Sequence, residues 1–285
     1  MKVFENFNLT NYNSYKIESY CSKAYFPESE NDFLKIFKQH NLKEFVLIGN
    51  GNNIILSKSE YERPFIILNE NFKEINVDKT LIEAESGATA LEISSVALKH
   101  SLTGVEFLYD IPSSVGGAVI MNAGTKEGET KDVLYKVRYL DLSDLIIKER
   151  FSEEIGLSYR NSFFQNNTGC IILKAWFKLR KGNNEHIEKL MIDSKNRRWS
   201  IQPRDYPNCG SVFKRPPGKF VGPMLDELGL KGFSVGGAKV SEKHSGFIIN
   251  FNRATGQNIL DLISEVKNRV KDKFGIILEV EQRII

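Results

Sequence analysis

The run Gly49-Asn50-Gly51-Asn52-Asn53 lies between two short apolar segments and restricts the fold of this 285-residue chain more than any other feature. Residues 45–48 before the run and 54–56 after it both have the pattern of buried strands. Glycine and asparagine let backbone N–H groups turn toward an anion, as in loops that cradle phosphate. A Rossmann fingerprint needs a third glycine and a following helix, so the run is not that fingerprint. The structural alternative is an ordinary hairpin turn rich in asparagine and glycine.

A second loop of small residues, Ile111-Pro112-Ser113-Ser114-Val115-Gly116-Gly117-Ala118, is followed by Met121-Asn122-Ala123-Gly124. Its lack of side-chain bulk leaves the backbone open to close approach by a flat cofactor or a diphosphate. The structural alternative is a tight turn packed beneath a helix. Two anion-suited loops in one half of the chain favour a large ligand with a diphosphate, such as a dinucleotide cofactor.

The remaining segments mix strands and helices without a steady alternation, which favours an α+β fold over a doubly wound sheet. Apolar spacing predicts a long amphipathic final helix with one buried face, formed by Ile259, Leu262, Ile263, Val266 and Val270. We predict helices at 31–41, 88–100, 184–199, 224–228 and 259–274, and strands at 45–48, 54–56, 65–68, 81–85, 137–140, 170–173, 247–250 and 276–281.

Length and charge narrow the function classes. A chain of this length favours two domains, and 41% hydrophobic with 26% charged residues is typical of a globular protein. The net charge of +3 is too small to indicate a nucleic-acid partner. The sequence has neither a signal peptide nor a run of about 18 apolar residues, so we expect a cytoplasmic protein without a membrane partner. The three cysteines form no CxxC pair or Cys/His cluster, so we expect neither a disulfide framework nor a metal site.

One hydroxyl stands out in the loop at residues 207–218, where Ser211 follows a glycine and precedes Lys214 and Arg215. A serine in this setting can donate or accept a proton at a bound anion, or the loop can merely turn the chain. Cys209 beside it is a rival nucleophile, for which His244 is a candidate base.

Two further segments offer charged groups to the same ligand. Tyr159 and Arg160 are adjacent, so the segment must bend if both are to meet one ligand, and Arg160 could clamp a carboxylate with two hydrogen bonds. Glu279 and Glu281 share a face of the predicted last strand. One of these acids would complete a set of acid, cation and hydroxyl with Arg160 and Ser211.

Taken together, the short motifs along nearly the whole chain resemble those of the bacterial UDP-N-acetylenolpyruvoylglucosamine reductases. The resemblance is to the shorter type of that family. The resemblance rests on the following segments: Asn13-Ser14-Tyr15, the two loops above, Gly104-Val105-Glu106, Tyr159 to Ser162, Cys209 to Lys214, Gly229 to Gly232, Val235 to Ala238, Ser241 to Phe247 and Glu281 to Ile285.

The resemblance implies a flavoprotein oxidoreductase that uses FAD and NADPH to reduce UDP-N-acetylenolpyruvoylglucosamine to UDP-N-acetylmuramate. This reaction belongs to cytoplasmic peptidoglycan synthesis, and hence to cell wall formation, cell shape and cell division. The implied fold is an α+β, two-subdomain FAD-binding module of the vanillyl-alcohol-oxidase (PCMH) type, at residues 1–183 with subdomains of about 1–68 and 69–183. A substrate-binding domain would follow at 184–285. We expect a monomer whose partners are the UDP-sugar and NADPH.

Carried over position by position, the family's catalytic arginine, proton-donating serine and glutamate fall on Arg160, Ser211 and Glu281. Glu281 is preferred to Glu279 because it directly precedes the ending Gln-Arg-Ile-Ile. Substrate contacts are expected from Tyr159, Lys214, Arg215 and His244. FAD contacts are expected from Gly49, Asn50, Gly51, Asn52, Asn53, Ile111, Pro112, Ser113, Ser114, Gly116, Gly117, Ala118, Asn122 and Gly124.

The chain departs from the family pattern at four places. Three lie in the expected flavin loops: Asn50 replaces a frequent glycine, Gly51-Asn52-Asn53 stands for Gly-Ser-Asn, and Asp110 to Ser113 stands for Gly-Ile-Pro-Gly. The fourth is Gln282 in place of a frequent valine. Two other functions therefore stay open, a flavin oxidase on the same module and a flavin-binding protein without catalytic activity.

Overall fold

A computed structural model describes residues 1–39, 45–68 and 71–285, which form two compact units that interleave along the chain. Unit 1 comprises Met1–Phe4, Ala24–Asn50 and Pro64–Arg197, and unit 2 comprises Glu5–Lys23, Gly51–Arg63 and Arg198–Ile285. These units are defined by packing, whereas the predicted division at residue 183 is by binding role and stays a prediction. None of the helices in the described ranges has the length and apolar character needed to cross a membrane.

The elements are numbered along the chain. The strands are β1 Lys2–Asn8, β2 Tyr20–Phe26, β3 Val46–Ile48, β4 Ile54–Ile55, β5 Glu60–Tyr61, β6 Phe65–Ile67, β7 Ile75–Asp78, β8 Leu81–Glu85, β9 Leu102–Thr103, β10 Gly124–Thr125, β11 Gly128–Glu129, β12 Leu134–Asp141, β13 Ile146–Phe151, β14 Cys170–Lys178, β15 Arg180–Lys181, β16 Ser234–Val235, β17 Ala238–Val240, β18 Ile248–Asn250 and β19 Arg283–Ile284. The helices are α1 Glu30–Gln39, α2 Ala90–Lys99, α3 Val115–Ile120, α4 Ser152–Ile155, α5 Phe163–Asn166, α6 Asn184–Ile201, α7 Val221–Glu227 and α8 Gly256–Phe274.

Five antiparallel strands in the order β13-β12-β14-β8-β7 form the main sheet of unit 1. The central strand β14 is buried along most of its length, as expected for a nearly continuous apolar sequence covered on both faces. Ile172 belongs to a hydrophobic cluster with residues of α2 and α3, including Ile93 and Val119. Ile171 and Leu173 face a second cluster instead. The sheet is thus the middle layer of unit 1.

Helix α1 supplies the second cluster through Phe33, Ile36 and Phe37. Ile66 of β6 completes it from a small parallel sheet, in which β6 pairs with β3 on one side and with the end of β2 on the other. The predicted helix at 31–41 is confirmed as far as Gln39, and its last two residues lie outside the described ranges.

The predicted loop at 111–118 is partly wrong, because α3 begins inside it. The Ser114 hydroxyl accepts a hydrogen bond from the Gly117 N–H at 3.2 Å and caps the helix. Paired glycines have poor intrinsic helix propensity, which is why the sequence pattern favoured a loop. Here close packing compensates, since a Cβ on Gly116 would lie 3.1 Å from the Cβ of Ser86.

In unit 2, the antiparallel sheet β16-β17-β18 packs against α8. The five residues predicted for the buried face of this helix are all buried, which confirms the amphipathic pattern. Thr255 caps the helix by accepting from the Asn258 N–H, and Gly275 ends it in the left-handed region at φ 68°.

The predicted strand at 276–281 is wrong in extent. Only Val280 pairs, in an isolated bridge with Phe213, and the regular strand β19 begins two residues beyond the predicted end and runs parallel to β4. Ile277 is 76% exposed, so this β-branched residue gains little from packing on a sheet.

Candidate active site

The first flavin-suited loop leaves β3 in unit 1 with Gly49 and Asn50. Gly49 has to be glycine, because a Cβ at this position would lie 2.3 Å from the Ser114 hydroxyl oxygen of the second loop. The two loops are therefore in contact at Gly49 and Ser114, a proximity that the sequence alone did not predict. Among the described residues, the buried Oδ1 of Asn50 and the buried hydroxyl of Ser86 have no hydrogen-bond partner. Buried polar atoms usually require one, so these groups suit a polar cofactor.

The start of α3 offers fewer backbone N–H donors to a ligand than its small residues suggested. The N–H groups of Val115 and Gly116 donate to the carbonyls of Ala88 and Ser86, at 2.7 and 2.9 Å, and that of Gly117 donates to Ser114. These amides are therefore satisfied inside unit 1. The glycines of this loop serve close packing rather than an exposed row of donors.

Tyr159 and Arg160 lie at the corner of a tight turn, which confirms the predicted bend. Ser158 and Asn161 exchange both backbone hydrogen bonds at 3.1 Å, and Arg160 adopts φ 52°. The guanidinium lies 5.2 Å from the Tyr159 ring centroid. The turn thus presents a phenol and a cation on one side.

Asn122 ties this turn to the second flavin-suited loop. Its buried side-chain amide donates to the Ser158 carbonyl and to Glu129, both at 3.1 Å. Its backbone carbonyl accepts from the Arg160 guanidinium at 3.4 Å. Hydrogen bonds from Lys131 and Asn122 and the charge of Arg160 lower the pKa of Glu129, so this carboxylate is ionised beside the turn. A predicted flavin residue therefore positions the predicted catalytic arginine.

The rest of the first loop, from Gly51 to Asn53, belongs to unit 2. Gly51 adopts φ 66°, and a Cβ would lie 2.0 Å from the backbone oxygen of Tyr12. Its carbonyl accepts from the Ser14 N–H at 3.0 Å, and the side chains of Ser14 and Asn52 are hydrogen bonded. The loop is thus held against residues 12–14, a motif that the sequence also singled out.

Ser211 and Glu281 are brought together in unit 2 by backbone pairing. The N–H of Glu281 donates to the carbonyl of Val212 at 2.8 Å, and Phe213 forms a bridge with Val280. Ser211 is exposed and Glu281 is half-buried. The side-chain amide of Asn53 donates to the Glu281 carbonyl at 3.2 Å, so the flavin-suited loop joins the same network. Arg160, the third predicted catalytic residue, lies in unit 1.

Lys214 and Arg215, which follow Ser211 in the sequence, differ in their partners. Lys214 forms an ion pair with Glu279 at 2.6 Å. Glu279, the acid not preferred as the catalytic one, is therefore a partner of this lysine. Arg215 lies 4.6 Å from the ring centroid of Phe220, an exposed aromatic residue. Both cations remain close to Ser211 in sequence, and the exposed ring beside Arg215 offers a stacking surface.

Cys209 is not a nucleophile. Burial raises the pKa of its thiol to about 12, so at neutral pH the thiolate is absent. The sulfur donates to the backbone carbonyls of Ile54 and Gly51, at 3.3 and 3.7 Å. Its role is to pack the Ser211 loop against the flavin-suited loop of unit 2. Among the described residues, no group of three His, Cys, Asp or Glu side chains is arranged to hold a metal ion.

Comparisons with known proteins match two parts of the chain to two family models. A model of the FAD binding domain matches residues 23–147, and a model of the UDP-N-acetylenolpyruvoylglucosamine reductase C-terminal domain matches residues 202–285. A UDP-N-acetylenolpyruvoylglucosamine reductase from Caldanaerobacter subterraneus subsp. tengcongensis is 41% identical over 287 aligned positions, covering 100% of this chain and 94% of the relative. The chain belongs to the UDP-N-acetylenolpyruvoylglucosamine reductase family.

Other relatives support this membership. The reductase from Fervidobacterium nodosum is 38% identical over 99% of this chain and 91% of its own length. The crystal structure of UDP-N-acetylenolpyruvylglucosamine reductase from Thermus caldophilus superimposes with a TM-score of 0.84 at 28% identity, covering 99% of this chain and 98% of that one. The α+β fold and the flavoenzyme class predicted from the sequence are confirmed.

Three residues beside the predicted site residues were missed or only noted by sequence reasoning. Ser86 lies beneath Gly116, and its position between β8 and Gly87 could have indicated a close approach. Tyr15 appeared only as part of a motif, and Gln282 only as a departure from the family pattern. Both are buried next to the Ser211 loop and joined by a hydrogen bond of 2.9 Å.

His244, a predicted substrate contact of the reductase, lies in a half-buried position with its ring 4.9 Å from that of Phe247. Its Nδ1 accepts a hydrogen bond from the Gly246 N–H at 3.1 Å. Burial lowers the pKa of the imidazole below its ordinary value of 6.5. The ring is therefore neutral at pH 7, with its acceptor Nδ1 used by Gly246 and its proton on Nε2, which can donate to a ligand.

This pKa shift predicts a pH effect on stability. The unfolded chain binds a proton at His244 more readily than the folded chain does, so folding stability should fall as pH drops from about 7 to about 5. The melting temperature of an H244Q variant should fall less over this pH range than that of the wild type. H186Q, at an exposed histidine, should follow the wild type. Parallel curves for H244Q and wild type would contradict the assignment.

Proposed function

We propose that this chain reduces UDP-N-acetylenolpyruvoylglucosamine to UDP-N-acetylmuramate with NADPH, and that Arg160, Ser211 and Glu281 carry the reaction. The observation that supports the assignment most strongly is the pairing of the Ser211 segment with the Glu281 segment through the 2.8 Å bond between Glu281 and Val212. It brings the hydroxyl and the acid of the predicted set to neighbouring positions in the part of the chain that matches the family's C-terminal domain.

FAD would be held by Gly49 to Asn53 and by the segment from Ile111 to Gly124. The orphaned oxygens of Asn50 and Ser86 and the glycine at position 49 fit this role, since they leave unmet polar atoms and no side-chain bulk at the loops. When bound, FAD supplies a hydride carrier that links NADPH to C3 of the enolpyruvyl group. The chain's own residues have to orient the substrate, stabilise charge and supply a proton.

Ser211 is the proposed proton donor to C2 of the enolpyruvyl group. A serine hydroxyl is a weak acid, but C2 carries negative charge after hydride addition at C3 and is basic enough to accept its proton. Lys214, which follows Ser211 by three residues, adds positive charge to this segment and would ease the charge left on the serine oxygen. The exposed position of Ser211 leaves its hydroxyl accessible to a substrate.

Arg160 and Glu281 are the proposed stabilisers of the charge that builds toward C2 and the substrate carboxylate. The turn at Tyr159 and Arg160 is fixed by Asn122, which limits the cost of orienting the guanidinium when substrate binds. Glu281 would act as a hydrogen-bond donor or fix one. Tyr159, Lys214, Arg215 and His244 are the proposed contacts to the UDP-sugar.

We further propose that the protein acts as a monomer in the cytoplasm. This proposal rests on the family resemblance and on a substrate that would be a soluble nucleotide sugar. The domain division at residue 183, into an FAD-binding module and a substrate-binding domain, is proposed because it falls between the two family-model matches, at residues 23–147 and 202–285.

A visible spectrum under anaerobic conditions tests the function. The purified protein should show a flavin band, NADPH should bleach it, and the enolpyruvyl sugar nucleotide should restore it. In a separate aerobic assay, oxygen consumption without that substrate would favour the flavin oxidase. Protein that is colourless and remains so after addition of FAD would favour a binding protein without catalytic activity.

A further inference from the structure

Gln282 has an unusual environment for a residue near the end of the chain. It is only 3% exposed, and its side-chain amide is hydrogen bonded at both ends. Oε1 accepts from the Tyr15 hydroxyl at 2.9 Å. Nε2 donates to the backbone carbonyl of Cys209 at 3.1 Å and lies 3.4 and 3.5 Å from those of Gly210 and Ser211. One buried amide therefore spans three consecutive carbonyls of the loop that carries the proposed proton donor.

The other end of this contact is fixed as well. Tyr15 is fully buried, and its own carbonyl accepts from the side-chain amide of Asn250 at 2.8 Å. Burial raises the pKa of the Tyr15 phenol well above its ordinary value, so the hydroxyl stays protonated and donates. The amide of Gln282 is thereby oriented with its oxygen toward Tyr15 and its nitrogen toward the loop.

Gly210 and Ser211 themselves have little side-chain packing, although Cys209 and Val212 on either side of them are buried. Gly210 adopts φ 77°, and a Cβ there would find no atom within 4 Å. Ser211 is exposed and bridges Phe247 on one side only. On the other side, the bonds from Gln282 and the sulfur contacts of Cys209 fix the backbone. Because Gln282 directly follows Glu281, the same residue also fixes the acid relative to the serine.

We propose that Gln282, held by Tyr15, is a positioning residue that sets the Ser211 hydroxyl relative to Glu281. The proposal rests on the proposed function, in which these two groups act on one substrate. Gln282 is one of the four departures from the family pattern noted above, where a valine is frequent, and an apolar side chain cannot donate to the loop carbonyls. Proton delivery in this chain should therefore depend on an amide that the motif alone would not have selected.

The test compares Q282L and Y15F with the wild type in the two half-reactions, measured separately by anaerobic rapid mixing. Q282L should slow reoxidation of the bound flavin by the enolpyruvyl substrate by roughly tenfold to a hundredfold, the size expected of a displaced catalytic group. Its reduction by NADPH should stay within about twofold. Y15F keeps the ring and the Nε2 contacts and should give a smaller effect in the same direction. Q257L makes the same change at a residue of α8 whose amide bonds in an exposed position, and should leave both rates unchanged.

A second readout does not depend on flavin or substrate. In a C170S background, the rate at which a thiol reagent labels Cys209 reports on loop anchoring, with buried Cys21 as internal reference. Q282L should accelerate labelling of Cys209 and leave labelling of Cys21 unchanged. Only Cys209 has a backbone carbonyl that accepts from Gln282 and would lose this hydrogen bond.

The outcomes distinguish the positioning role of Gln282 from the proposed function of the protein. Equal slowing of both half-reactions, or reoxidation and Cys209 labelling within about twofold of wild type, would overturn the positioning role. If Q282L fails to fold, Y15F decides by the same criteria, since it leaves the aromatic packing in place. If the wild type does not reoxidise with the enolpyruvyl substrate at all, the proposed function fails, while the labelling result still reports whether Gln282 anchors the loop.

Discussion

The variant S211A is expected to keep NADPH-driven reduction of the bound flavin nearly unchanged and to slow its reoxidation by the enolpyruvyl substrate by roughly 10²–10⁴-fold. Only the second half-reaction needs a proton at C2, and a positioned acid contributes about this factor. Ser211 is exposed, and its pairing with Phe247 uses the backbone, so alanine should preserve the local structure. Anaerobic rapid mixing of each half-reaction measures the two rates.

S59A is the matched control, because Ser59 is an exposed serine in the same unit without a proposed role. It should leave both rates unchanged. S211C keeps a proton donor at the same atom position and should restore part of the lost rate. Equal loss in both half-reactions of S211A would remove Ser211 from the role of proton donor.

The variant G51A is expected to lose most of its bound flavin. A Cβ at position 51 would lie 2.0 Å from the backbone oxygen of Tyr12 and 2.8 Å from its carbonyl carbon, and backbone atoms cannot move aside as a flexible side chain can. The residue also holds φ 66°, which costs an alanine about 1–2 kcal/mol. Together, strain and clash should weaken FAD binding by roughly a hundredfold or more, about 3 kcal/mol.

G275A separates strain from clash. Gly275 adopts φ 68°, close to that of Gly51, but a Cβ there meets nothing within 4 Å. This variant should be slightly less stable and should keep its flavin. The ratio of flavin to protein absorbance after purification, followed by titration with FAD, measures both effects. Full flavin content in G51A would show that residues 51–53 do not hold the cofactor.

Sequence periodicity predicted the elements whose burial depends on local pattern alone. The buried face of α8 from Ile259 to Val270 follows from helical spacing, and the strand predicted at 170–173 follows from its apolar run, although β14 extends to Lys178. The bend at Tyr159 and Arg160 could also be predicted, since adjacent residues share a face only in a turn. The motifs around Ser211 and Glu281 were short, but their order along the chain selected the family.

Tertiary contacts decided the features that the pattern could not predict. Helix α3 forms despite Gly116 and Gly117 because Ser86 and Ser114 pack closely around them. The apolar run at residues 276–278 suggested a strand, yet Ile277 stays exposed. The role of Gln282 depends on Tyr15, which lies 267 residues away in the sequence, and no local pattern contains such a pairing.

The pairing of β19 with β4 has a consequence for biogenesis. Arg283 and Ile284 lie beside Ile54 and Ile55, and the segment matching the C-terminal domain model omits residues 5–23 and 51–63 of the same unit. During translation, the early segments of unit 2 can pair with each other through β2 and β5, but β4 cannot gain its partner β19 until residue 284 has left the ribosome. A fragment of residues 202–285 would lack its partners from the start of the chain. Chaperone dependence in the cell should therefore be greater for unit 2 than for unit 1, whose main sheet is complete at Lys178.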